Sequence, residues 1–156
     1  MKIFRFRIRQ YVEPGFCLNC PGCCRYGTNP SIWAPNLLKE EKLGMEKIGL
    51  IARGRYYICS FLNFKNNRCR IYNQRPLECR LYPFLLNHCG RKLYLSIDTN
   101  CPGASGKIDS KEFKSYLDYL LGYLYTPAVL IILKKNRNLF PSYSAEQIFN
   151  LAELKI

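Results

Sequence analysis

Eight of the nine cysteines fall into one ordered array. It opens as Cys17-Leu18-Asn19-Cys20-Pro21-Gly22-Cys23-Cys24 and continues through Cys59, Cys69, Cys79 and Cys101. A tetrahedral zinc site or a cubane iron–sulfur cluster takes four thiolates, and two-residue spacers let neighbouring sulfurs converge on one centre. Eight thiolates are therefore enough for two complete sites. Pro21 and Gly22 suit a type II turn, with proline presetting φ at its second position and glycine accepting positive φ at its third. Such a turn brings Cys20 and Cys23 to one side. Cys23 and Cys24 are adjacent, and adjacent side chains of an extended segment point to opposite faces. On that geometry the chain passes between two centres at this point.

Two plainer readings compete, a disulfide framework and ordinary buried cysteines. Disulfides persist in oxidising compartments, whereas Met1 to Tyr11 alternates Phe4, Phe6 and Ile8 with Arg5, Arg7 and Arg9 and has no continuous apolar stretch of the signal-peptide kind. The odd cysteine count also fits pairing poorly. Core cysteines occur singly and give no reason for two-residue clustering. Metal binding in a cytoplasmic protein is the expectation.

The elements that must position these sulfurs are short. Residues 3 to 12 alternate like a strand leading into the cysteine loop. Pro35 opens a stretch with Leu37, Leu38, Leu43 and Met45 at the spacing of an amphipathic helix, ended by Gly49. Arg55 to Phe61 and Cys69 to Tyr72 read as strands joined by an asparagine-rich loop, which places Cys59 and Cys69 on one hairpin. Asn73 to Pro83 reads as one or two helical turns opened by Pro76, with Cys79 near the positive end. Lys92 to Ile97 is a strand delivering Cys101.

From Asp109 the pattern becomes helical. Phe113, Tyr116, Leu117, Leu120, Leu121 and Leu124 recur at three- and four-residue intervals behind Asp109 or Ser110 as the cap. These stripes read as core rather than cofactor contacts. Thr126-Pro127 starts a second helix through about Lys135, and the Ser144/Gln147 capping-box pattern predicts a third. The reading is a single α+β domain over residues 1–156. A cysteine-rich metal-binding core of short strands and loops, 1–108, packs with C-terminal helices, 109–156.

A chain of 156 residues that is 48% hydrophobic suffices for one buried core. The most apolar stretch, Tyr119 to Leu133, contains Pro127 and is too short to span a bilayer, so no transmembrane segment is expected. The formal net charge is +13. Two four-thiolate centres of charge −2 would lower it to about +9, which leaves a basic surface. Nucleic acid is a secondary expectation as partner, because a run such as Lys134-Lys135-Asn136-Arg137 usually marks a solvated helix end. A protein partner is expected but not identified.

The combination of Cys17-x2-Cys20-x2-Cys23-Cys24, a cysteine ahead of Cys69-Arg-Ile-Tyr, then Arg75-Pro76-Leu-Glu-Cys79-Arg80-Leu-Tyr-Pro83-Phe84 and Cys101-Pro102, resembles the YkgJ-like, or CxxCxxCC, zinc- or iron-chelating domain family. The resemblance spans about residues 17 to 103. It implies Cys17, Cys20, Cys23, Cys24, Cys59, Cys69, Cys79 and Cys101 as metal ligands. A similar domain occurs in flagellin lysine N-methylases, associated there with an iron–sulfur cluster, which makes an iron–sulfur enzyme or enzyme component an alternative. No glycine-rich cofactor fingerprint accompanies it. Cys89 has no place in the motif and reads as a core residue ahead of a free thiol or a substitute ligand. His88, the only histidine, reads as an ordinary loop residue.

The run Cys17-x2-Cys20-x2-Cys23 has the spacing of three ligands of a bacterial-type ferredoxin cluster, whose remote fourth ligand precedes proline as Cys101 precedes Pro102. This favours a [4Fe-4S] cluster on that set and leaves Cys24, Cys59, Cys69 and Cys79 for a second centre. Two structural zinc sites are the competing cofactor reading. Arg75 and Arg80 either donate to thiolate sulfur or anchor the turn to backbone carbonyls. No catalytic residues emerge, and an interaction or redox module is the expected role.

Overall fold

Glycine, proline and asparagine interrupt the cysteine-bearing half of the sequence every few residues, and its elements are correspondingly brief. The computed structural model describes residues 4–20, 22–41, 48–144 and 146–156. The chain forms two compact units, Met1–Phe6 with Glu13–Arg80 and Arg7–Val12 with Leu81–Ile156. Helices and small antiparallel sheets together make it an α+β protein, as the sequence indicates.

In the first unit, helix α1 (Pro14–Asn19) starts on a proline, whose missing N–H costs nothing there. Strands β1 (Arg25–Tyr26), β2 (Leu50–Arg53) and β3 (Tyr56–Cys59) pair antiparallel in the order β1-β3-β2. Only Gly54 and Arg55 join β2 to β3, and Gly54 takes φ +63, a conformation that suits glycine in a tight hairpin. A second, minimal hairpin pairs β4 (Leu62–Asn63) with β5 (Arg68–Cys69). Helix α2 (Leu77–Leu81) follows Pro76 as expected. Tyr26, Leu37, Ile48, Ile58 and Leu62 form the buried core, together with Cys59.

Three expectations for this region are corrected. Cys59 and Cys69 do not share a hairpin: Cys59 pairs with Leu50 in β2–β3, and Cys69 pairs with Leu62 in β4–β5. The turn at Gly54 supplies a nearer partner than the asparagine loop does. Among the described residues of the stretch from Pro35, a 3-10 turn at Lys39–Glu41 stands in place of α-helix, with Leu37 and Leu38 buried. Leu43 and Met45 lie outside the described residues, as does Pro21 of the expected type II turn. Residues 4–12 form no ladder among the described residues.

In the second unit, β6 (Phe84–Cys89), β7 (Lys92–Asp98) and β8 (Ile148–Leu154) make an antiparallel sheet in the order β6-β7-β8. Helix α3 (Lys111–Leu124) is capped by Ser110, whose hydroxyl accepts the Phe113 N–H at 3.1 Å. Helix α4 (Pro127–Lys135) follows, so both predicted helices form. Phe84, Leu95, Ile97, Phe113, Leu120 and Leu133 are fully or almost fully buried. Phe84 and Phe113 stack at 5.5 Å, and Tyr11 meets both rings edge-on.

Tyrosine hydroxyls replace the missing strand ladder for Arg7 to Val12. Arg7 N–H donates to Tyr123 Oη at 2.9 Å and Arg9 N–H to Tyr119 Oη at 2.8 Å, while Tyr116 Oη donates to the Arg9 carbonyl. The predicted third C-terminal helix is instead β8. Its pairing with β7 overrides a local capping pattern worth about 1 kcal/mol. Among the described residues no single helix is long and apolar enough to cross a membrane, although α3 and α4, bent by 76°, together have the length and composition of a broken span.

Candidate metal centre

Seven of the nine cysteines lie in the first unit, and Cys89 and Cys101 lie in the second. Cys17 is carried on α1, Cys59 on β3, Cys69 on β5 and Cys79 on α2. No disulfide is present among the described residues.

Five thiols form one electrostatic group. Cys79 feels Cys23, Cys59 and Cys69, and Cys24 feels Cys23, Cys79 and Cys59. Cys24 donates its thiol hydrogen to the Cys23 sulfur, which holds the Cys23 pKa down at about 7. The adjacent cysteines thus face the same group rather than opposite sides. The premise of opposed side chains fails because they occupy a turn, closed by the Arg25 N–H to Gly22 carbonyl bond at 3.1 Å, and not extended backbone.

Burial is the main influence on Cys59, Cys69 and Cys79 and raises the pKa of each, most strongly for Cys79. Neighbouring sulfurs add to the rise, and Arg75 opposes it at Cys69 and Cys79. Cys79, near the start of the short helix α2, is thus held in the thiol form chiefly by burial. Such thiols stay protonated alone and ionise when a cation replaces their protons.

The donor chemistry fits zinc or an iron–sulfur centre, both of which take thiolates. Among the described residues no three cysteine, histidine or acidic side chains yet stand at ligating separation around one point.

Local structure explains how remote strands deliver these sulfurs. The Asn67 side chain donates to the carbonyls of Leu18 at 2.6 Å and Cys20 at 3.1 Å, tying the first cysteine loop to the hairpin that carries Cys69. Asn67 adopts φ 55, a left-handed conformation in which asparagine is enriched. In the sequence its role is hidden by a loop already rich in asparagine. Gly22 leaves room for sulfur: a Cβ there would stand 3.2 Å from Cys20 Sγ.

Glu41 is the other residue that the sequence pattern does not single out. Its carboxylate accepts the N–H of Leu77 at 2.5 Å and of Leu38 at 3.1 Å, fixing the start of the helix that bears Cys79. Burial pushes its pKa up to about 7. The arginines resolve toward anchoring. Arg80 donates to the carbonyls of Arg75 and Asn73 at 2.8 and 2.6 Å, and Arg75 donates to the Tyr72 carbonyl at 3.0 Å while its guanidinium lies 3.7 Å from the Tyr72 ring. Arg75 nevertheless acts on the thiols through its charge.

Cys89 and His88 belong to the second unit. Cys89 Sγ accepts from the amides of Asn87 at 3.6 Å and Asn150 at 3.5 Å. His88 lies in strand β6, not a loop, with Nε2 2.8 Å from the Arg137 carbonyl.

A half-buried group of thiols gathered from a loop, two hairpins and a short helix defines a cysteine-based metal-binding domain. The chain belongs to the CxxCxxCC family, whose model, described as "Putative zinc- or iron-chelating domain", matches residues 16–102. A curated relative from Methanocaldococcus jannaschii, named "Uncharacterized protein MJ0661", is 38% identical over 73 residues, covering 42% of this chain and 40% of the relative. The chain thus matches well under half of that relative's length. No solved structure matches.

Proposed function

We propose that this chain is a metal-stabilised interaction or redox module that holds an iron–sulfur cluster or zinc through cysteine thiolates. Cys23, Cys24, Cys59, Cys69 and Cys79 form the core of the donor set, and Cys17 and Cys20 of the same unit supply the remainder. The observation that carries this reading is the gathering of those thiols in one unit, where Cys24 and Cys79 pack against the core that contains Cys59 and all five interact electrostatically. Their burial disfavours separate ionised sulfurs and favours sulfurs that share a cation.

The iron–sulfur form is preferred on the ferredoxin-like spacing of Cys17, Cys20 and Cys23, and it would supply one-electron redox chemistry. In either form Arg75 lowers the cost of thiolate charge, and Asn67 and Glu41 hold the backbone that presents the sulfurs. Were an iron–sulfur cluster bound there, the Arg75 charge would raise its reduction potential.

Metal and acid-labile sulfide content, with the visible spectrum, of protein purified without oxygen tests the proposal. About four irons and four sulfides per chain, with a brown colour bleached by reductant, establish the redox form. About two zincs and no colour establish the structural form. Protein that is folded yet contains neither metal refutes both.

A further inference from the structure

Within the first unit, a cavity of about 100 Å³ is lined by Phe4, Arg5, Phe6, Glu41, Gln74, Arg75, Pro76 and Arg80. Three arginines and one glutamate are among the residues that line it. The Glu41 oxygens are turned to the backbone N–H groups of Leu38 and Leu77, so its charge is engaged at the wall. Glu41 also interacts with the charge of Arg80, and the arginines outnumber it three to one in the lining.

Two of the cations are held in place before any ligand arrives. Arg80 is fixed by its bonds to the carbonyls of Arg75 and Asn73, and Arg75 by Tyr72, through both its carbonyl and its ring. Pre-oriented guanidinium planes lose little freedom on binding, and their donor geometry matches the oxygens of phosphate or carboxylate. Phe4 and Phe6, in edge-to-face contact at 4.9 Å, give the opposite character, an apolar wall. The volume exceeds that of several waters and accommodates a group of phosphate or carboxylate size.

We propose that this cavity is an oxyanion site that receives the phosphate or carboxylate group of a small molecule, with Arg5, Arg75 and Arg80 as its cationic contacts.

The test is calorimetric titration of the full chain, its metal content measured beforehand, with inorganic phosphate and separately with malonate at fixed ionic strength. The expected result is saturable binding of at least one probe with Kd below about 1 mM. Arg5→Ala should weaken it about tenfold or more, whereas Arg53→Ala, an exposed substitution away from the cavity, should not. Binding of phosphate alone, of malonate alone or of both assigns the group that the site accepts. Absence of saturable binding with either probe up to about 10 mM, or equal weakening by Arg5→Ala and Arg53→Ala, overturns the proposal. Because the chain's metal content is read independently, a protein without metal that still binds the anion separates the two proposals.

Discussion

In the first unit no strand among the described residues exceeds four residues, and seven cysteines are distributed among its loops, hairpins and helices. In the second, strands of six and seven residues run side by side and helices of 14 and 9 residues supply buried aromatic and aliphatic side chains. The second unit therefore draws its stability from apolar burial and continuous backbone pairing. The first has a core of its own around Tyr26 and Ile58, but it includes thiols that burial chiefly keeps protonated. Metal is expected to matter to one unit and not to the other.

The largest effect expected is from metal removal. Stripping the metal should abolish amide-exchange protection in β2, β3 and β5 while β6 and β7 keep theirs, since a structural metal contributes on the order of 10 kcal/mol to a small domain. Equal loss in both units would erase the contrast. Next comes Phe84→Ala, which removes a fully buried ring stacked on Phe113. It should cost about 3–5 kcal/mol in denaturant midpoint analysis of the second unit and leave metal content per chain unchanged.

Glu41 sharpens the comparison through pH. Burial raises its pKa from 4.5 to about 7, so the folded state binds the proton more tightly than the unfolded chain does. The resulting stability is complete below the unfolded value and is lost as pH rises through about 7, amounting to about 3 kcal/mol. Glu41→Gln should flatten that dependence in the first unit between pH 4.5 and 7.5. Thermal melts of both proteins at the two pH values check it. Glu78, also raised to about 7, chiefly by burial and in part by the charge of Glu41, titrates in both proteins, so the dependence should shrink rather than vanish. An unchanged pH dependence in the variant would deny Glu41 this part.

The smallest effect expected is at Asn67. Asn67→Gly keeps the positive φ accessible and removes the two bonds to the Leu18 and Cys20 carbonyls. It should destabilise the first unit by about 1–2 kcal/mol and speed metal loss to a competing chelator. Chelator-competition kinetics that match the unsubstituted protein would show that the clamp does not position the cysteine loop.

Much of the site is legible in the order of the residues. The cysteine spacing and the Arg75-Pro76 to Pro83-Phe84 stretch point to the family, and the matching span, residues 16–102, agrees with the motif. Helices α3 and α4 are legible because Ser110 and Pro127 mark their starts and their apolar residues keep a helical period. Strand β6 gives no such signal: its run Phe84-Leu85-Leu86-Asn87 is buried residue after residue and shows no alternation. Strand β8 is disguised because Ser144 and Gln147 imitate a cap, while its true partner, β7, lies some fifty residues earlier.

Residue types at fixed short spacing were enough to establish the metal-binding class, the α+β composition and the two C-terminal helices. Motifs of that kind act locally, and helix hydrogen bonds close within four residues. Three-dimensional packing was needed to show that Cys23 and Cys24 face one group and that tyrosine hydroxyls satisfy the backbone of Arg7 and Arg9. It was needed too for the part of Glu41 and Asn67 in holding the segments that present Cys79 and Cys20. Those outcomes depend on atoms brought together from distant parts of the chain, where turn geometry and burial, not separation along the sequence, determine which groups meet.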